Sequence, residues 1–457
     1  MKKIIIMFIT VSMITSLAAC GSSTEVSNKE TIVTESQMSS KEVKNEVTEE
    51  LSSNADEQSE SKEEENKTSE SAPSESKDDT QEQSKSDEQP APVKEMTVEE
   101  DYANLPESEG FVFESNDDGT CTLTKIGVCS DTDIVIPEKS PTGDMVTKVA
   151  EYAFYDGEDI NSIIFAGRTM ELEQNAFSSC EVEKIVISGC NLTIGESAFA
   201  YCEDVNEVYI SNSTLEIDAY AFYDCGKDMN VIIQNCVGVL NENAFQSSGI
   251  LGLEVKECTL ELDENAFAYC EDLETLAFEN SAVDIGTYAF YDIGGDTIVS
   301  FVDCEVDMDD KAFQSSGVTT LNMVGCETVM GESAFSYCED LTDVTIGANN
   351  TEIGTYAFYD CTALKNVSIA AESEDDTIKI VVDDDAFQSC AVQNVVIGRG
   401  EVELGDNAFS YCENLTSVEI KGTLLEVGDY AFYDCPDELV ITYDGVGYNK
   451  ESIENVN

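Results

Sequence analysis

An Ala-Phe pair recurs thirteen times along this 457-residue chain, with its ring at Phe154, Phe177, Phe199, Phe222, Phe245, Phe267, Phe290, Phe313, Phe335, Phe358, Phe387, Phe409 and Phe432. Every step is 22 or 23 residues except the 29 between Phe358 and Phe387. A period held this tightly predicts a solenoid, in which each coil buries its apolar residues against the next coil. A longer period lies above it: "YAFYD" begins at Tyr152, Tyr220, Tyr288, Tyr356 and Tyr430, with two coils of other sequence between copies. The array therefore reads as copied three-coil blocks.

Within one coil, Val182, Ile185, Ile187, Cys190 and Leu192 give the pattern V-x-x-I-x-I-x-x-C-x-L, which fits a leucine-rich repeat. The I-x-I alternation predicts a short strand, which must pair in parallel with its copies in neighbouring coils. A second inward pair, Leu192 with Ile194 and then Leu215 with Ile217, leads to the Ala-Phe turn, where the ring fills the inner corner.

The stretches "IGESAFAYCEDVNEVYI" and "IGTYAFYDCTALKNVSI" resemble the BspA-like class of leucine-rich repeats, over roughly Val149 to Pro436. The resemblance implies a β-rich, right-handed, curved solenoid of about 13 coils over residues 149–436. Short parallel strands would line its concave face and the Ala-Phe turn its convex corner. It also implies adhesion to host proteins or to other cells. Residues 101–148, including "GFVFESNDDGTCTLTKIGVCSDTDIVIPEKSPTGDMV", resemble the β-rich cap that precedes such arrays, and 437–457 are expected to add a capping strand and tail. The strands here usually end in Ser, Gly or Glu rather than the family's Pro.

Lys2 and Lys3 precede an apolar run from Ile4 to Ala19 that is short for a membrane span and has the layout of an export signal, residues 1–19. It ends in Leu17, Ala18, Ala19 and Cys20, which resembles a bacterial lipobox and implies acylation of Cys20. The rest of 20–100 is Ser, Glu, Lys, Thr, Gln and Asp, a composition that cannot offset chain entropy by burial and predicts a disordered acidic linker. The protein is thus expected to be exported and held by lipid to the outer face of a bacterial membrane, exposed at the cell surface or wall.

The chain has 94 Asp plus Glu, 23 Lys plus Arg and no His. Without imidazole the Ser-His and Cys-His hydrolases are excluded, and a net charge of −71 opposes nucleic acid and anionic lipid. From Asp101 onward 71 acids face 13 bases, a net of −58. Acidic runs such as Asp383, Asp384 and Asp385 and the insert from Glu372 to Asp376 admit weak calcium binding, weighed against a solvated face that keeps the solenoid soluble. No C-x-x-C occurs, and neither a metal site nor a cofactor is expected.

Fourteen of the seventeen Cys occupy two repeat positions, three residues after the Phe or nine before it. Other coils put Ser, Asn, Thr, Gly or Ile there, which favours buried free thiols over bridges. Stacking nevertheless brings Cys236 near Cys258 and Cys304 near Cys326. Outside the array, Cys121 and Cys129 are the pair best placed for a disulfide. Tyr pairs such as Tyr152 with Tyr155 and Tyr220 with Tyr223 recur every third coil, either covering Phe corners or presenting a ladder to a sugar or protein.

The residue between the two inward strand positions must point out of the sheet. At the first four coils it is Ile164, Val186, Tyr209 and Ile232, an apolar stripe expected to be exposed and to receive a partner. The resulting expectation is a surface binding or adhesion protein without catalytic residues, recognising an extracellular protein or other cell-surface macromolecule. The alternatives are polysaccharide or cell-wall binding or hydrolysis, and a purely structural spacer. Paired carboxylates of glycosidase type carry little weight among so many acids.

Overall fold

The computed structural model describes residues 105–347, 349–370 and 376–456. The expected export signal at 1–19, Cys20, the expected linker at 20–100, residues 101–104 and all but Asp376 of the acidic insert from Glu372 to Asp376 lie outside the described residues.

Two 15-stranded sheets make up almost all of the fold. In a typical coil, one strand runs Val182–Ser188, the chain turns at Gly189 and Cys190, and a second strand runs Asn191–Ile194 before the Ala-Phe corner. All the first strands form one sheet and all the second strands the other, in sequence order and parallel throughout the array. The Leu192 and Ile194 pair, expected only as inward residues ahead of the turn, thus belongs to a strand of its own. Four residues suffice because each copy is hydrogen-bonded on both sides, Thr214 to Ile217 lying opposite Asn191 to Ile194 and also opposite Val237 to Leu240. At each end a hairpin departs from the parallel pattern. Val112–Ser115 pairs antiparallel with Thr120–Lys125, and Val440–Tyr443 pairs antiparallel with Val446–Tyr448. A last helical turn, Lys450–Ile453, is capped by Asn449 and buries Ile453.

The two sheets enclose one continuous apolar core. Its spine is the column of thirteen Phe rings from Phe154 to Phe432, all at most 1% exposed. Neighbouring rings stack with centroids 4.5–5.7 Å apart and interplanar angles of 2–18°. Full burial of such a side chain stabilises by about 1.5–3 kcal/mol, and offset stacking adds to that. The backbone locks the same column: the Phe177 N–H donates to the Ala198 carbonyl at 2.7 Å and the Phe199 N–H to Ala221 at 2.7 Å.

Each corner turns through two left-handed residues, one two before the Phe and one two after it. Asn243 and Ser247 flank Phe245 in this way with φ of 60° and 58°. Short polar residues tolerate that conformation best, which is why Asn and Ser are frequent there.

Candidate binding surfaces

The outward ladder of the first sheet runs through Val135, Ile164, Val186, Tyr209 and Ile232 on successive rungs, as the strand period requires. The structure brings the four expected stripe residues together but does not expose them. Ile164, Val186 and Tyr209 are 2–3% exposed and pack with Val135 in a second apolar cluster, separate from the main core, with Ile232 half-buried at its end. The Tyr209 hydroxyl accepts a hydrogen bond from Gln234 Nε2 at 2.6 Å. The stripe is therefore a buried cluster, half-open at its Ile232 end. Farther along the same ladder the positions are polar or small: Glu254, Ala277, Ser300, Asn322 and Thr345.

The second sheet faces outward with acids. Glu261, Asp284 and Asp307 lie on three consecutive rungs, and Glu216, Glu352 and Glu403 lie on the same ladder, separated by Val239, Val329 and Val381. Burial, reinforced by Glu216, Glu196 and Glu171, raises the pKa of Asp218. Burial with Glu352 and Asp384 does the same for Asp383. In the Asp383, Asp384 and Asp385 run, Asp384 Oδ1 accepts the Asp406 N–H at 2.7 Å. Among the described residues, no group of three or more acids or thiols is placed to hold a metal. Two depressions on the surface are open to solvent, one over Thr193, Glu216 and Val239, the other over Gln234, Lys256 and Glu279.

At the Phe corner the tyrosines assemble as triads rather than pairs. Tyr223 is met edge-on by Tyr220 at 5.7 Å and by Tyr201 of the preceding coil at 5.6 Å. Tyr291 is met in the same way by Tyr288 and Tyr269. Tyr359 holds Tyr356 and Tyr337, and Tyr433 holds Tyr430 and Tyr411, at 5.5–5.7 Å. At the start of the array Tyr152 and Tyr155 form a pair alone, 5.5 Å apart. The third member was missed in the sequence, although "AYCED" and "SYCED" place a Tyr two residues after the Phe in each coil that precedes "YAFYD". Several of these rings are exposed, Tyr201 at 49% and Tyr430 at 61%, while Tyr223, Tyr288, Tyr291, Tyr356 and Tyr359 are half-buried.

All sixteen described cysteines are free thiols, Cys121 buried and Cys129 half-buried among them. Hydrogen bonding explains the exchange of Cys with Ser. Three residues after the Phe, the Cys270 thiol donates to the Phe245 carbonyl at 3.3 Å, Cys338 donates to Phe313 at 3.2 Å, and Ser248 donates to Phe222. Nine before it, Cys258 and Ser281 both donate to the carbonyl two residues back, at 3.0 and 2.9 Å. Burial pushes the thiols of Cys270 and Cys338 up to about 12. In the stacked pair at the sheet corner, the Cys326 thiol hydrogen-bonds Cys304 and lowers the pKa of Cys304.

This geometry agrees with the family whose repeat pattern the chain matches, the BspA type leucine rich repeat region, in six copies over residues 128–251, 260–378 and 380–450. With most of its length matched, the chain belongs to that family. A comparison with curated proteins gave no significant match. Among solved structures, a leucine-rich repeat protein from Bacteroides ovatus is similar at 18% identity and a TM-score of 0.42, covering 73% of this chain and 87% of that one. A leucine rich cell surface protein from Faecalibacterium prausnitzii is similar at 20% identity and a TM-score of 0.27, covering 75% and 89%. The pneumococcal vaccine antigen PcpA follows at 14% identity and a TM-score of 0.22, covering 74% and 94%.

Proposed function

We propose that the protein is a cell-surface binding scaffold that recognises an extracellular protein or other surface macromolecule through its solenoid and catalyses no reaction. The observation that carries this reading is the division of one continuous repeat into long faces of different chemistry: a mostly neutral sheet, an acidic sheet and a corner of exposed tyrosines. Such extended, regular surfaces suit large partners more than small molecules. Membership of a BspA-type family supports the same reading.

The anchor belongs to the proposal too. Acyl chains on Cys20 hold the protein at the outer face of the membrane, and the acidic linker lifts the solenoid away from it. Detergent-phase partitioning of the parent and of Cys20→Ala tests the anchor, and equal partitioning overturns it. Capture of purified matrix proteins and of neighbouring bacterial cells by the full-length protein tests the scaffold. Hydrolysis of cell-wall polysaccharide by the purified protein would overturn the non-catalytic reading.

A further inference from the structure

Tyrosine is an unfavourable residue for left-handed backbone, and the corners use it eight times in the four triads. Tyr220, Tyr288, Tyr356 and Tyr430 precede their Phe at φ of 57–62°, and their partners in the preceding coils adopt φ of 58–62°. Sister coils fill the same two positions with Asn or Ser at the same φ, as Asn243 and Ser247 do. The backbone therefore does not call for Tyr, and the reason for it lies in the side chain. Full burial is not that reason, since six of the eight rings are 37–61% exposed and Tyr288 and Tyr356 are half-buried.

One coil shows what the rings accept. On the rung after Tyr288, Lys311 places its ammonium 5.3 Å from the Tyr288 ring centroid and donates to the Tyr288 hydroxyl at 3.1 Å. The chain thus seats a cation of its own on one triad. The equivalent residue is Asn243 beside Tyr220, and Asp385 beside Tyr356, to which it is hydrogen-bonded. Neither brings a positive charge, and an aspartate follows the central Tyr directly at Asp224, Asp360 and Asp434. Aromatic faces within a negative field attract ammonium and guanidinium groups.

We propose that the tyrosine triads form a row of cation-binding platforms that hold lysine and arginine side chains of a basic extracellular polypeptide lying along the Phe corner. The proposal rests on the scaffold reading and names its partner class. The triads repeat every three coils, and ring steps of 4.5, 5.0 and 5.2 Å separate Phe222 from Phe290, so the platforms lie ~15 Å apart. An extended peptide covers that distance in about four or five residues. The excess of 94 acids over 23 bases steers such a partner inward.

The probe is a synthetic peptide of Gly and Ser carrying Lys at every fifth position, titrated into full-length protein by calorimetry, with a Gln-for-Lys peptide as control. The test variant combines Tyr220→Asn, Tyr288→Asn, Tyr356→Asn and Tyr430→Asn. Sister coils already use Asn there, so the corner keeps its fold, which circular dichroism checks. The variant is expected to bind the Lys peptide at least about tenfold more weakly than the parent, since several weak cation contacts act together. Lys311→Asn vacates the second platform and is expected to tighten binding about two- to fivefold. Equal affinity of parent and tyrosine variant overturns the proposal, because acidic surface alone then holds the peptide. So does displacement of the peptide by a neutral oligosaccharide, which would make the corner a sugar site. A parent that ignores the peptide but captures a purified matrix protein loses the platforms and keeps the scaffold reading; one that does neither loses both.

Discussion

Replacing Phe245 and Phe267 by leucine, singly and together, separates the energy of ring stacking from that of simple burial. Both rings are at most 1% exposed, and they stack 5.0 Å apart at 9°. Each also stacks on an outer neighbour, Phe222 at 4.5 Å and Phe290 at 5.2 Å. Leucine keeps most of the apolar contact but removes the ring, so each single change deletes two stacking contacts. At about 0.5–1.5 kcal/mol per contact, either single variant should lose about 1–3 kcal/mol. The contact between the two rings is counted in both singles, so the double variant should fall short of their sum by about 0.5–1.5 kcal/mol. Phe245 with Phe313, three coils apart, is the control and should add to within about 0.5 kcal/mol. Urea unfolding followed by far-ultraviolet circular dichroism measures all of these. A coupling for Phe245 and Phe267 no larger than the control would show that the rings are merely buried side by side and that stacking does not couple the coils.

Cys270→Ser should stay within about 0.5 kcal/mol of the parent in urea unfolding, whereas Cys270→Ala should lose about 1 kcal/mol by removing the side-chain hydrogen bond to the Phe245 carbonyl, which keeps only the Ser248 N–H. Equal losses would remove the hydrogen-bond account of Cys and Ser exchange. Thiol labelling of the native protein should be fast only at half-buried Cys129, with the other described thiols reacting after unfolding without reductant; a deficit in the unfolded count would reveal disulfides. Stability should decrease as pH rises from about 4 toward neutrality, because the raised pKa values of Asp218 and Asp383 mean that the folded state holds more protons than the unfolded chain in that window. Urea midpoints at pH 5 and pH 7.5 check the sign, and a higher midpoint at pH 7.5 would contradict it.

The spine of the fold was legible because Phe and Ala are the residues that the corner geometry cannot exchange: the ring fills the core and the Ala beside each ring is at most 5% exposed. The strand at Asn191–Ile194 was only half legible, since four residues with two inward positions are too short to distinguish a strand from the approach to a turn. Period-2 alternation placed Ile164, Val186, Tyr209 and Ile232 correctly on one outward ladder. Alternation states which way a side chain points and not what lies against it, so their packing with Val135 was hidden. The triads were hidden for a related reason. Tyr201 and Tyr223 are 22 residues apart and meet only because the coil closes.

The terminal hairpins bear on how far such a stack can continue. A parallel stack of near-identical coils offers at each end a row of unpaired amides matching the one at the other end, a geometry that permits molecules to add head to tail without limit. At one end Val112–Ser115 folds back antiparallel on the first strand of its sheet, and at the other Val446–Tyr448 folds back on the last of the other sheet. Those two edge strands are only four and three residues long and run against the grain of the array, whereas the opposite edge of each sheet is a parallel strand, Thr423–Val427 or Asp133–Val135. A strand of reversed polarity cannot continue a parallel ladder in register, so each short reversal terminates one of the two sheets at its end of the array.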